Sequence, residues 1–296
     1  MDSRTRARRG LAIFFPVLIL CSAYLERQIY LAGGDIGKHV GLIYSLMWSV
    51  TFASVIARVI LREGPGDISF RWGGWAGTRA FLVAWVLPVI VGTVAYGVSW
   101  RTGLAHLSVP AIPRSFLGIH LDHGSDTMRF VKFLFLSLTF LGLRSCRSAA
   151  GGEIGWRGYM LTRLIHAGVP APLFASGFVW ALWHTPLILS GQYASGPHRL
   201  VSAAIFVCSV VSIGYIFAWL RLTSGSIWPC IWAHGVWNAV IQGPFDMSTG
   251  SYSLWVGESG ILTALCLATF TVVLYRIWPL PKDLVQQDTG RQAAAA

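Results

Sequence analysis

Long apolar runs separated by short polar breaks dominate the chain. A helix that crosses a bilayer takes about 20 mostly apolar residues. Segments approaching that description lie at 11–25, 40–61, 80–100, 130–143, 169–189, 201–222, 227–240 and 261–278. The first, fourth and seventh are short, so they are expected to extend into their flanks or tilt against neighbours. The pattern predicts an all-α, polytopic membrane protein of about eight transmembrane helices around a buried polar cavity. It forms one membrane domain over residues 11–278, after a basic segment at 1–10. Residues 279–296 are polar, end in four alanines and read as a disordered tail.

Composition supports this reading. Hydrophobic residues make up 54% of the chain and charged ones 12%, against about a quarter charged in soluble domains. The net charge of +11 would suggest nucleic acid in a soluble protein. Here the basic residues sit in short segments between apolar runs, so they read as topology determinants and contacts to anionic membrane lipids, and no nucleic-acid partner is expected. Cys21, Cys146, Cys208, Cys230 and Cys266 lie mostly inside apolar runs without a CxxC pair, which argues against a disulfide framework or a zinc ribbon.

Arg4, Arg6, Arg8 and Arg9 precede an apolar run, as in a signal peptide, but no small-x-small cleavage site follows. A retained anchor is expected. The connections holding Arg58, Arg62, Arg71 and Arg79, then Arg144, Arg147, Arg157 and Arg163, then Arg221, then Arg276 and Lys282 fall on one side of an eight-span topology. That side is expected to be cytoplasmic and to hold both termini. The basic connection at 101–129 dissents and is long enough for a small external subdomain.

Ionisable groups inside a bilayer cost on the order of 3 kcal/mol each at a helix centre, so function is sought there. Glu153 and Arg157 are spaced to share a helix face, either as a helix-terminal ion pair or as a carboxylate presented to a cavity. His184 lies deep in the fifth span, two residues before Pro186, which loosens the helix. His234 and Asn238 share a face one turn apart. A lone histidine is often satisfied by a carbonyl, and paired polar groups often hold helices together. A carboxylate, two imidazoles and an amide converging in a hydrated cavity would instead suit hydrolysis. His120, Asp122, His123 and the nearby Asp126 have metal-ligand chemistry but read as a solvated loop.

These residues resemble the CPBP family of intramembrane endopeptidases (CAAX proteases and bacteriocin-processing enzymes, also called Abi), which includes the type II CAAX prenyl endopeptidases. The family motifs EExxxR, F/WxxxH and HxxxN read here as Gly152-Glu153-x-x-x-Arg157, Trp180-x-x-x-His184 and His234-x-x-x-Asn238, over about residues 130–240. The resemblance implies cleavage of a peptide bond near the cytoplasmic face, in a membrane-associated or lipid-modified peptide such as a prenylated protein. A bacterial plasma membrane is the expected setting. It also implies that Arg157 orients the acidic pair and that His184 activates water or binds a metal. His234 and Asn238 would hold the oxyanion, with His184 and His234 able to ligate a divalent metal such as zinc. No HExxH pattern is present. The first motif glutamate, the family's general base, is Gly152 here. A catalytically inactive relative that binds a membrane peptide, as an immunity or regulatory protein, is therefore the rival expectation. A small transporter is disfavoured, because the two halves lack paired interrupted helices.

Overall fold

The computed structural model describes residues 2–34, 38–108, 115–116, 119–249 and 253–280. Most of the expected tail, 281–296, lies outside the described residues.

Helix α1 (Ser3–Leu31) starts on Asp2, whose carboxylate accepts the Thr5 N–H, so the basic segment is already helical. It packs along α2 (Val40–Leu61). Helix α3 (Gly74–Thr102) leads to a two-residue antiparallel pairing of β1 (Ser115–Phe116) with β2 (Ile119–His120), the only sheet among the described residues. The fourth rod comprises α4 (Asp126–Leu136), α5 (Gly142–Gly155) and α6 (Leu161–His166), joined by π turns at Ser137–Leu141 and Trp156–Met160. Helices α7 (Pro172–Leu189), α8 (Arg199–Ser224), α9 (Trp228–Val240, continued by a π turn at Ile241–Phe245) and α10 (Ile261–Ile277) complete the bundle. Five of these helices, α1, α2, α3, α7 and α8, are long and apolar enough to cross a membrane. The protein is an all-α integral membrane protein.

The fourth rod departs most from expectation. It runs on from the predicted 130–143 span through Arg144, Glu153, Arg157 and Arg163 to His166. At 1.5 Å per residue it is roughly 60 Å long, about twice the hydrocarbon thickness. Every residue from Gly151 to Ala167 is buried except Ile154, which is half-buried. A helix surrounded by protein needs no continuous apolar face towards lipid. Arg157 and Arg163 are thus buried helix residues, and they do not mark a cytoplasmic connection. Arg144 and Arg147 remain exposed, as expected for side chains that reach an interface.

Glycines let this rod and its neighbours approach closely. A Cβ at Gly155 would come within 2.5 Å of the Val50 carbonyl oxygen on α2. One at Gly214 on α8 would come within 2.6 Å of the Gly177 Cα on α7. Such small-residue contacts are a usual basis of helix association in lipid.

The bundle has two distinct ends. At the first, Arg4 bonds the Ala167 carbonyl and the Trp219 indole bonds the Trp278 carbonyl. Asp67, in the α2–α3 connection, forms an ion pair with Arg58 at 2.6 Å and accepts Arg163 at 2.7 Å, while Arg163 also reaches Glu63 at 2.7 Å. Arg221 bonds the Asp67 carbonyl at 2.7 Å, and Arg58 and Arg163 lie over the Tyr159 ring. This buried network ties the ends of α2, α6 and α8 together. Removing one member of a buried ion network leaves uncompensated charge, so Asp67→Ala is expected to destabilise the protein by about 3 kcal/mol. Thermal unfolding in detergent checks this. At the second end, Ser108 N–H bonds the Ser248 carbonyl at 2.7 Å, and the Ser259 hydroxyl bonds the Ala194 carbonyl at 2.7 Å.

Candidate active site

Glu153 sits at the last turn of α5 with no exposed surface. Its Oε1 accepts the Arg157 guanidinium at 2.8 Å and the His234 Nδ1–H at 2.8 Å. The i, i+4 spacing supplies the first contact, and packing of α5 on α9 supplies the second. Arg157 is fully buried beneath aromatic rings, 4.4 Å from the Trp180 centroid and 5.2 Å from that of Phe217. A guanidinium is weakly hydrated and stacks on ring faces, which suits it to this position. Trp180 also lies 5.2 Å from the His234 ring, so one indole packs on both members of the ion pair's surroundings.

His234 has its tautomer set by the carboxylate. An ionised carboxylate only accepts hydrogen bonds, so Nδ1 carries the proton and Nε2 is left for other work. His184 follows the same logic. Its Nδ1 lies 3.2 Å from the Trp180 carbonyl oxygen one turn earlier, an acceptor, which again leaves Nε2 free. Trp183, Tyr193 and Phe206 surround the His184 ring at 4.7, 5.5 and 5.3 Å.

His184, His234 and Asn238 line one cavity of about 330 Å³. Val40, Ile43 and Met47 of α2 and Phe206, Val210 and Ile213 of α8 make its walls largely apolar. The structure therefore brings the three sequence motifs together at one place. It divides their work, however. Arg157 and Glu153 lie behind the wall, whereas the two histidines and Asn238 face the space. Ser148 also faces it, one turn before Gly152 on the same helix face. A Cβ on Gly152 would meet only the flexible Met47 methyl at 3.3 Å and the Trp156 ring at 3.5 Å. Position 152 thus lies beside the cavity and lacks a side chain.

Three cavity residues escape the sequence reading: Tyr193, Gln242 and Glu258. Glu258 Oε1 accepts the Trp237 indole N–H at 2.9 Å, and Oε2 accepts the Tyr193 hydroxyl and the Gln242 amide. Tyr193 and Glu258 come from connections that carry no motif. Only the isolation of Glu258 in an acid-poor stretch could have drawn attention to it.

The donor set bears on a metal. Catalytic zinc takes three protein ligands and keeps a fourth position for water. His184 and His234 offer two ring nitrogens with their partners already fixed, but among the described residues no close cluster of three metal-ligating side chains includes them. Among the described residues the one such trio is His120, Asp122 and His123, with ligand atoms within 4.8 Å and both imidazoles well exposed. The residues in the cavity do not make up a catalytic zinc set.

The cavity's lining includes Val40 at the start of α2, Leu187 near the end of α7 and Gln242 just beyond α9, whereas Arg4 bonds Ala167 at the first end of the bundle. In a background without the native cysteines, Ser3→Cys and Ser195→Cys are expected to react with a membrane-impermeant maleimide from opposite faces of sealed vesicles.

Residues 133–240 fit the family model described as type II CAAX prenyl endopeptidase Rce1-like. No curated protein and no solved structure matches. The matched stretch begins in α4, ends with α9 and contains Glu153, Arg157, His184, His234 and Asn238. Over that stretch, which holds all three motifs, the chain is similar to the Rce1-like type II CAAX prenyl endopeptidases.

Proposed function

We propose that the protein is an intramembrane endopeptidase that hydrolyses a peptide bond in a lipid-modified, membrane-associated peptide. The observation that carries this reading is the convergence of His184, His234 and Asn238 on one apolar-walled cavity, with Glu153 fixing His234 from behind. The apolar walls suit a prenyl or acyl chain, and the family acts on prenylated substrates. The scissile carbonyl lies between the polar groups. The Asn238 amide donates to its oxygen. His234, held at Nδ1 by Glu153, presents Nε2 to the same oxygen as negative charge develops. His184 Nε2 hydrogen-bonds the attacking water. Arg157 neutralises Glu153 and touches no substrate.

This chemistry needs no metal. Chelation by EDTA or 1,10-phenanthroline is expected to leave the cleavage rate within about twofold, because the two cavity histidines belong to no close cluster of three ligands such as catalytic zinc takes. Loss of cleavage on chelation, restored by zinc, would contradict that.

Gly152 favours a second reading, in which the same cavity binds a membrane peptide without cutting it. Purified protein and Gly152→Glu, each incubated with an internally quenched peptide bearing farnesyl-cysteine, separate the two. Cleavage by the unaltered protein supports the endopeptidase. Cleavage by the variant alone establishes the binding protein.

A further inference from the structure

Hydrolysis by this cavity requires a base, and the motif helix supplies none that reaches it. Glu153 is enclosed, with both hydrogen-bonding partners on Oε1 and its Oε2 buried without a partner. Gly152 has no side chain. One carboxylate does line the cavity with His184, His234 and Asn238, and that is Glu258.

Its surroundings tie it to the reacting groups. The Trp237 indole that holds Oε1 belongs to the turn of α9 between His234 and Asn238. Tyr193, whose hydroxyl donates to Oε2, packs its ring 5.5 Å from His184. Gln242, the third donor, lies one turn beyond Asn238. A carboxylate has about four acceptor positions. Three donors fill part of that capacity and leave room for a water. Glu258 also lines a second chamber of about 370 Å³, with Tyr193, Gln242, Asp246 and several serines. Asp246 faces only that second chamber. Glu258 therefore stands where a polar-lined space meets the space that holds the histidines.

We propose that Glu258 is the general base of this protein, taking the place of the glutamate absent at position 152; the assignment rests on the endopeptidase reading above. Glu258 removes a proton from water as the water oxygen bonds to the scissile carbonyl carbon. The carbonyl π pair moves to oxygen, where Asn238 and His234 hold it. When the tetrahedral adduct collapses, the C–N bond breaks. The nitrogen takes the proton from Glu258 and leaves as the amine.

The test uses full-length protein in detergent with a quenched peptide carrying farnesyl-cysteine followed by three residues. Thermal unfolding of each variant checks the fold. Glu258→Gln is expected to lower kcat by ~10²-fold or more, the usual size of a general-base contribution, with KM within about threefold, since the altered group acts on water and not on the lipid chain. Adding Gly152→Glu to Glu258→Gln is expected to recover at least about tenfold in kcat, because the restored carboxylate enters the same cavity beside Met47. Activity of Glu258→Gln equal to wild type overturns the assignment and leaves the endopeptidase reading intact. A loss that Gly152→Glu does not repair makes Glu258 a positioning residue and also overturns it. No cleavage by wild type, with cleavage by Gly152→Glu, overturns both.

Discussion

Glu153→Ala is expected to cost stability and activity together. Arg157 lies fully buried against Trp180 and Phe217, and Glu153 is its only ion-pair partner among the described residues. Truncating that carboxylate strands a guanidinium in an apolar interior, which typically costs about 3–5 kcal/mol. The same change frees His234 Nδ1 from its acceptor, so the imidazole loses its fixed tautomer and orientation. Cleavage is expected to fall by roughly 10³-fold, in the range seen when a group that orients a catalytic histidine is lost. Glu153→Gln separates the two effects. Its amide oxygen can still accept hydrogen bonds, so unfolding temperature should drop less than in Glu153→Ala, while cleavage remains strongly impaired. Unfolding in detergent and initial cleavage rates measure both. Equal stability of Glu153→Ala and wild type would show that Arg157 has found another anion.

The second large effect is expected at the histidines. His234→Ala removes the donor that meets the oxyanion, and loss of one such donor costs about 10²–10³-fold in kcat. It also leaves the cavity side of Glu153 without its partner. His184→Ala removes the group that holds water opposite the carbonyl. Its carbonyl partner, Trp180 O, is a helix oxygen, so this variant should unfold close to wild type. His184→Ala is therefore the cleaner catalytic knockout, and His234→Ala the one with a measurable stability loss.

The helices were largely legible from sequence, and α2 fell on its expected limits, 40–61. Hydropathy failed at the fourth rod, for a physical reason. It charges Arg157 and Arg163 for facing lipid, whereas both face carboxylates inside the bundle. The periodicity of one segment does not say which neighbours will enclose it. Glu153, Arg157, His184, His234 and Asn238 were legible because polar residues in apolar spans are rare and their spacing repeats a family pattern. The split between Glu153 behind the wall and the histidines in front of it was not legible, since spacing gives a face and not a depth. Glu258 and Tyr193 were invisible for another reason. They lie in connections, and only the folding of the 190–198 and 253–260 segments against each other brings them to the cavity.

The central claim is that polar side chains from separate helices act together on a peptide bond in one buried cavity. Cleavage of the farnesylated quenched peptide by purified wild type, compared with His184→Ala and His234→Ala, tests it most directly. Measurable hydrolysis by wild type, reduced by ~10²-fold or more in each variant, is the predicted result. Hydrolysis that persists unchanged in both, or is absent from wild type under every condition in which the protein is folded, would contradict it.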